Sequence, residues 1–296
     1  MKKILITGAT GNVGLEVVKS LASLYHNYEV YAGVRNVQKE KQIMERFKVK
    51  LTPFDFTDSK TFPSALIDID ILFLLRPPQI SDAQKCFKPL VDSALKSCVG
   101  HIVFLSVQGV QNSRIIPHHK IEKLIVASKI SYTFLRPAYF MQNFTTTLLS
   151  DLKSKNRIYL PAGSAKFTLV DVADIGEVAA KILTEPNNHK DRCYELTCKE
   201  KLTFAEMALK LSKGLGKMVK YESPNLVSFF ITKRRQGMPP MLILVMIMLH
   251  YFPRFQKEPD TTDCVETILK KQPKSFDRFI FENRTQLNGS IVPNET

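Results

Sequence analysis

The sequence predicts an α/β fold, a doubly wound parallel sheet with a smaller, mostly helical C-terminal lobe. Three observations predict it. From residue 1 to about 135, short apolar runs alternate with helix-period segments, the pattern of parallel strands joined by crossover helices. The first run, Ile4-Leu5-Ile6-Thr7, leads straight into Gly8-Ala9-Thr10-Gly11-Asn12-Val13-Gly14, three glycines spaced GxxGxxG at a strand–helix turn. Beyond residue 144 the alternation loosens, and 225–283 reads as helix broken at Pro239-Pro240, Pro253, Pro259 and Pro273.

The 296 residues, 44% hydrophobic and 24% charged, suffice for one large domain and a smaller lobe. The five cysteines (Cys86, Cys98, Cys193, Cys198, Cys264) form no CxxC pair and no His/Cys metal spacing. They read as reduced thiols, with no metal site. The first strand begins at Lys2, so no leader peptide is expected and the reading is a cytoplasmic protein. The longest apolar run, Met241 to Leu249, is about half the ~20 residues of a membrane span, so no membrane is expected. It reads as a buried helix, or as a lobe or dimer contact. The formal net charge of +14 suits an anionic ligand. Most of it is interleaved with acids, as in Gln38-Lys39-Glu40-Lys41, which is the pattern of a solvated face. No aromatic-basic ladder accompanies it, so no nucleic acid is expected.

In chain order, strands are expected at 2–7, 28–34, 49–52, 69–75, 101–106 and 131–135. Helices are expected at 12–25, 37–46, 80–98 and 114–129, with a short turn or helix near 58–66. In such a sheet, ligands sit at the carboxyl ends of the strands. After the first strand, Gly8 makes the tight turn, Gly11 lets a pyrophosphate approach the backbone, and Gly14 lets the helix pack on the strand. Thr10, Asn12 and Val13 complete this loop, whose free N–H groups and helix dipole face the phosphates. The second strand ends Gly33-Val34-Arg35, where an NAD site would carry an acid for the ribose. Arg35 instead suits a 2′-phosphate, which favours NADP(H) and leaves NAD(H) possible.

The third strand leads into Phe54-Asp55-Phe56-Thr57-Asp58. Asp55 can accept from an adenine amino group, while Asp58 can cap a helix. After the fourth strand, Leu75 and Arg76 can line the nicotinamide ribose, although Arg76 can equally be a surface charge. Ser106 closes the fifth strand, where it can hold a cofactor or a substrate carbonyl, or simply end the strand. The next helix opens at Pro117 and carries His118 and Glu122, four apart on one face. A carboxylate there would orient the imidazole and favour its protonated form, making His118 a proton donor; the plain alternative is a solvent-facing pair. The sixth strand ends in Arg136-Pro137-Ala138-Tyr139-Phe140-Met141-Gln142-Asn143. Ala138, Tyr139, Phe140, Gln142 and Asn143 can contact a nicotinamide, or the aromatic pair can serve packing alone.

Further on, 167–171 reads as extended and feeds a helix from Asp171, with a strand at 194–197. Thr203-Phe204-Ala205-Glu206 is a capping box opening a helix to about Lys213, ended by Gly214 and Gly216. The polar tail after Asn283 is expected to fray. The expected division is a dinucleotide-binding domain of 1–143, also receiving 166–198, and a small substrate or partner lobe of 144–165 and 199–296.

Thr7-Gly8-Ala9-Thr10-Gly11-Asn12-Val13-Gly14, His118-x-x-x-Glu122 before Tyr132-Thr133-Phe134-Leu135-Arg136-Pro137, and Asp171-Val172-Ala173-Asp174-Ile175 together resemble the NmrA-like, atypical short-chain dehydrogenase/reductase proteins. The segment from Asp263 to Asn283 is similar to the C-terminal helices of that group. The resemblance implies a Rossmann domain for NADP(H) or NAD(H), with a small lobe over the nicotinamide. It implies either a quinone, azo or imine reductase or a non-catalytic cofactor sensor with a protein partner. Related dehydrogenases use Tyr-x-x-x-Lys for proton exchange; no Tyr here is followed four residues later by Lys, and the corresponding place holds His118 and Glu122. The expectation is therefore an NADP(H)-dependent oxidoreductase, monomer or homodimer, passing hydride to a quinone-like or other conjugated small-molecule acceptor. His118, Glu122 and Tyr139 are its candidate catalytic residues. A redox regulator acting through a protein partner is the alternative.

Overall fold

The computed structural model describes residues 1–24, 28–114 and 116–288. The end of the helix expected at 12–25, residue 115 of the one expected at 114–129, and 289–296 of the tail lie outside the described residues. The chain divides into two compact units. The first comprises Met1–Ala138, Val172–Leu196 and Asp263–Gln272; the second comprises Tyr139–Asp171, Thr197–Thr262 and the chain from Pro273 onward.

The first unit is built on a seven-stranded sheet, parallel throughout. Its strands are β1 (Lys2–Thr7), β2 (Tyr28–Val34), β3 (Lys50–Pro53), β4 (Ile71–Leu75), β5 (His101–Leu105), β6 (Ser131–Pro137) and a last strand, Arg192–Leu196. Across the sheet the order runs Arg192–Leu196, β6, β5, β4, β1, β2, β3. The order therefore reverses at β1, between β4 and β2, and a crevice opens beyond the carboxyl ends of such strands. The central strands are apolar because both faces are covered: Ile71, Leu72, Phe73 and Leu74 are buried, as are Ile102 to Leu105.

Helix α1 (Asn12–Ser23) buries Val13, Gly14, Val17, Val18 and Leu21 along one stripe. Full burial of a Val or Leu side chain stabilises by roughly 1.5–3 kcal/mol. This stripe matters for placing the glycine loop, because it fixes the helix whose first turn the loop opens. On its other side α1 meets the helix Val172–Thr184 at close range: a Cβ at Gly176 would lie 2.7 Å from the Glu16 backbone.

Several expected boundaries shift for identifiable reasons. The helix expected at 80–98 is two helices, Ala83–Cys86 and Lys88–Lys96. Pro89, which has no N–H to donate, stands in the first turn of the second. The fourth strand starts at Ile71 rather than 69, because the Asp70 carboxylate accepts from the Lys3 N–H at 2.7 Å. β6 runs on to Pro137, since Arg136 and Pro137 pair with Glu195 and Leu196. The first unit also takes the helix Cys264–Leu269, which packs on Val172–Thr184 and which the sequence reading left in the small lobe. Conversely, Tyr139 to Asn143 and 166–171 stand in the second unit.

The second unit gathers Phe144, Phe204, Phe229, Phe276 and Phe279, all fully buried. Two small sheets edge it: Lys201–Thr203, Lys166–Val170 and Tyr139–Phe140, and Arg157–Tyr159 with Lys220–Glu222. The Thr203–Glu206 capping box is formed, with Thr203 Oγ1 accepting from the Glu206 N–H at 3.1 Å. The tail does not fray directly after Asn283. Arg284–Asn288 is helical and Leu287 is buried. The apolar run lies in the helix Pro240–Tyr251, which buries only Ile243, Met246 and His250, so the buried-helix reading holds for one face alone.

Candidate functional site

The glycine loop takes its shape from contacts that only glycine allows. Gly8 adopts φ +60°, and a Cβ there would press into the Leu75 side chain at 2.8 Å. A Cβ on Gly14 would stand 2.1 Å from the Gly8 carbonyl oxygen, which no relaxation short of rebuilding the turn can accommodate. The Gly11 N–H donates to that same oxygen at 3.0 Å and closes the turn. Thr7 pins the loop to β4, donating to the Phe73 carbonyl at 3.0 Å and accepting from the Leu75 N–H at 3.1 Å. Gly11 then caps α1 without a side chain, and no acid stands in the first turn. The N–H groups of Asn12, Val13 and Gly14 are thus left for an anion, reinforced by the helix dipole.

Beside the loop, at the carboxyl end of β2, lies an open cleft of about 320 Å³ lined by Thr10, Val34, Arg35, Asn36, Lys39 and Glu40. Neither Arg35 nor Lys39 has an acidic partner for its side chain among the described residues. Two cations without ion pairs, beside the single acid Glu40, give the cleft a net positive lining of the kind that suits an anion. Sequence reading found Arg35 and placed Lys39 on a solvated face. Lys39 enters the cleft because Asn36 caps α2 (Val37–Met44), its side chain accepting from the Lys39 N–H at 3.0 Å. The cap residue three positions before Lys39 was the available signal.

At the end of β3, Asp55 Oδ1 accepts from the Thr57 N–H at 2.8 Å and from its hydroxyl at 2.7 Å, closing a local turn. Asp58 does not cap a helix. The helix Thr61–Ala65 starts after Lys60, which provides no side-chain cap. Ser106, after β5, is nearly fully buried, and its Oγ has no hydrogen-bond partner among the described residues. A buried hydroxyl without a partner is costly unless a ligand or water supplies one. Ala138 is buried at the end of β6, its N–H donating to the Leu196 carbonyl at 3.0 Å.

Arg76 is not a surface charge. Its Nη1 donates to the carbonyls of Pro77, Pro78 and Ile80 at 3.1, 3.2 and 2.7 Å, tying down the loop after β4. Its Nε donates to His118 Nε2 at 3.3 Å. The expected His118–Glu122 pairing is corrected here. Glu122 turns to Arg136, accepting from Nε at 3.0 Å and Nη2 at 2.7 Å. A bidentate guanidinium satisfies a carboxylate better than one imidazole N–H, so sharing a helix face does not decide the partner. Burial and the Arg76 charge push His118 down to about 3. The imidazole is therefore neutral near pH 7, packed against the Phe104 ring, and not the protonated donor expected.

In the second unit, His250 Nδ1 lies 2.6 Å from the Met246 carbonyl, which can only accept, so this nitrogen carries the proton. His250 Nε2 then accepts from the Tyr139 hydroxyl at 3.2 Å. Phe167 and Phe204 close around the Tyr139 ring. Burial pushes the Tyr139 phenol up and His250 down to about 4. The apolar run read from the sequence stops at Leu249, and His250, the next residue, was missed as a partner. Phe140 is half-buried, in register with Val170. No group of three or more metal-binding side chains occurs among the described residues.

Comparison with known proteins gives a consistent picture. Prestalk A differentiation protein A of Dictyostelium discoideum is 28% identical over 98% of this chain and 95% of its own length. The NAD(P)H azoreductase of Xenophilus azovorans is 28% identical over 93% of this chain and 96% of its own. In fold, the chain matches the NADPH-dependent quinone oxidoreductase of Escherichia coli complexed with NADPH, with a TM-score of 0.85 at 23% identity, covering 94% of this chain and 99% of that one. The NmrA-like family pattern spans residues 1–272, and the chain belongs to the NmrA-like family.

Proposed function

We propose that the chain is an NADP(H)-dependent oxidoreductase that passes hydride to a quinone-like or other conjugated acceptor, such as an azo compound or an iminium. The observation that carries this reading is the cleft holding unpaired Arg35 and Lys39 next to a glycine turn that no other residue could form. The relatives support the same reading, being an NAD(P)H azoreductase and a quinone oxidoreductase by name.

In this reading, the α1 N-terminus behind Gly8, Gly11 and Gly14 holds the pyrophosphate, with Thr10, Asn12 and Val13 completing the cradle. Arg35 and Lys39 hold the 2′-phosphate and select NADP(H) over NAD(H). Asp55 contacts the adenine side. Leu75 shapes the Gly8 turn, and Arg76 keeps the following loop in place. Ser106 Oγ finds its missing partner on the bound cofactor, together with Ala138. When bound, NADPH supplies a hydride from C4 of its nicotinamide.

Proton supply limits the acceptor. His118 is neutral and Tyr139 holds its proton too tightly to exchange it near neutrality. The acceptor class that fits takes hydride first and collects any proton from water, as a quinone does on becoming a hydroquinone anion. A non-catalytic cofactor-binding regulator with a protein partner is the second reading, favoured by this same lack of a titrating donor at His118 and Tyr139. Acceptor-dependent NADPH oxidation separates the two.

A further inference from the structure

We propose that the second unit docks on anionic lipid bilayers through the outer face of the helix Pro240–Tyr251 and the turn Phe252–Phe255. The inference is independent of the reductase reading. From Ser223 to Lys257 the sequence contains no Asp or Glu and five Lys or Arg. Half of the exposed large hydrophobic side chains among the described residues fall between Val227 and Phe255.

The helix buries Ile243, Met246 and His250, which lie along one face at helical spacing. On a surface helix the opposite face is ordinarily polar. Here it carries Met241, Leu244, Met248 and Leu249, all exposed, with Phe252 and Phe255 continuing it, the latter 70% exposed. No charged side chain interrupts residues 240–249. Cations stand at both ends of this apolar face, which is about 18 Å long at 1.5 Å per residue. Arg234, exposed, donates from Nη1 to the Met238 carbonyl at 2.8 Å in the turn that leads into the helix, and Arg235 is beside it. At the far end the Arg254 guanidinium lies over the Tyr251 ring at 5.0 Å and the Phe255 ring at 5.9 Å, while Lys257 beyond it is paired with Asp260 at 3.6 Å. Lys233 is not part of the surface, being buried against Asp151.

An apolar ridge bracketed by cations, with aromatic rings at one end, matches the boundary between acyl chains and anionic headgroups. No helix among the described residues is long and apolar enough to cross a membrane, so the contact is with one leaflet. The charge argues against a second copy of the chain as the occupant. A two-fold contact sets a patch against itself, and here it would bring Arg234, Arg235 and Arg254 against the same arginines. An anionic surface gains from each of them.

Co-sedimentation of the full chain with phosphatidylcholine vesicles, with and without phosphatidylserine, tests this directly. The chain is expected to sediment with the phosphatidylserine vesicles at low salt and to be released as salt rises. Arg234→Gln with Arg235→Gln should weaken partitioning about five-fold per charge removed. Leu244→Asp with Leu249→Asp, on exposed positions, should weaken it at least about ten-fold with the melting temperature unchanged. The arginine variant decides the matter if the leucine variant fails to fold. No sedimentation with phosphatidylserine vesicles overturns the proposal, as does equal binding by the arginine variant. So does a wild-type dimer in sedimentation velocity that Leu244→Asp dissociates, because the face would then belong to a second copy.

Discussion

The Nε–H of Arg76 donates to Nε2 of His118 at 3.3 Å, so a fixed positive charge faces the one lone pair that protonation of this imidazole would need. Together with burial, this lowers His118 to about 3. His101 and His250, both buried, fall to about 4.

These three shifts set the acid stability. Each group binds a proton in the unfolded chain below about 6.5 but not in the folded one until about 3 to 4. Between those limits the unfolded state binds more protons, so the stability contributed by each histidine is full above about 6.5 and is lost as pH falls. Each is expected to add up to about 1.4 kcal/mol per pH unit to the slope in that window. Urea unfolding from pH 7 to 4 measures it, and His118→Gln should lower the slope while leaving activity free of a new ionisation between pH 5 and 8. An unchanged slope would contradict the neutral, Arg76-bound state.

Breaking the Glu122–Arg136 fork should cost about 3 kcal/mol, because Glu122→Gln leaves a half-buried guanidinium short of its carboxylate. Glu122→Gln combined with Arg136→Met should cost less than the two single changes summed. A double-mutant cycle by chemical denaturation reads the coupling. Additive costs would mean the fork contributes nothing.

The cleft cations are expected to act on cofactor choice. Arg35→Ala and Lys39→Ala should each weaken NADPH binding about ten-fold, equivalent to about 1.4 kcal/mol, and leave NADH nearly unchanged. Fluorescence titration with both cofactors distinguishes this from a general loss. Equal weakening of NADH would remove the 2′-phosphate role.

Tyr139→Phe leaves His250 Nε2 without its donor and should cost about 1 kcal/mol of stability. Because the phenol holds its proton well above neutrality, the pH profile of turnover should stay the same. A lost ionisation in the variant's profile would restore Tyr139 as a proton-exchanging group.

What was legible in the sequence is what local backbone geometry demands. Gly8 and Gly14 could be read because a strand–helix turn this tight admits no Cβ at either position, Gly11 because it completes their spacing, and Arg35 because it ends an apolar run. The alternation of runs to residue 135 carried the sheet for the same reason. What was not legible depends on partners far along the chain. Glu122 and His118 share a helix face, yet the carboxylate's partner, Arg136, comes from β6. Tyr139 finds His250 111 positions away. Lys39 resembled any solvated lysine until the Asn36 cap set the direction of α2. Pro89, inside the segment expected as one helix, stands in the first turn of a separate helix, Lys88–Lys96.

The central claim is that this chain binds NADPH in order to reduce an acceptor. The direct measurement is the steady-state loss of NADPH absorbance with a panel of quinones, azo compounds and iminium acceptors, beside NADH at equal concentration. The predicted result is acceptor-dependent oxidation that is faster with NADPH than with NADH and has no ionisation from His118. Tight NADPH binding without oxidation by any acceptor in the panel would contradict it and leave the cofactor-binding regulator in its place.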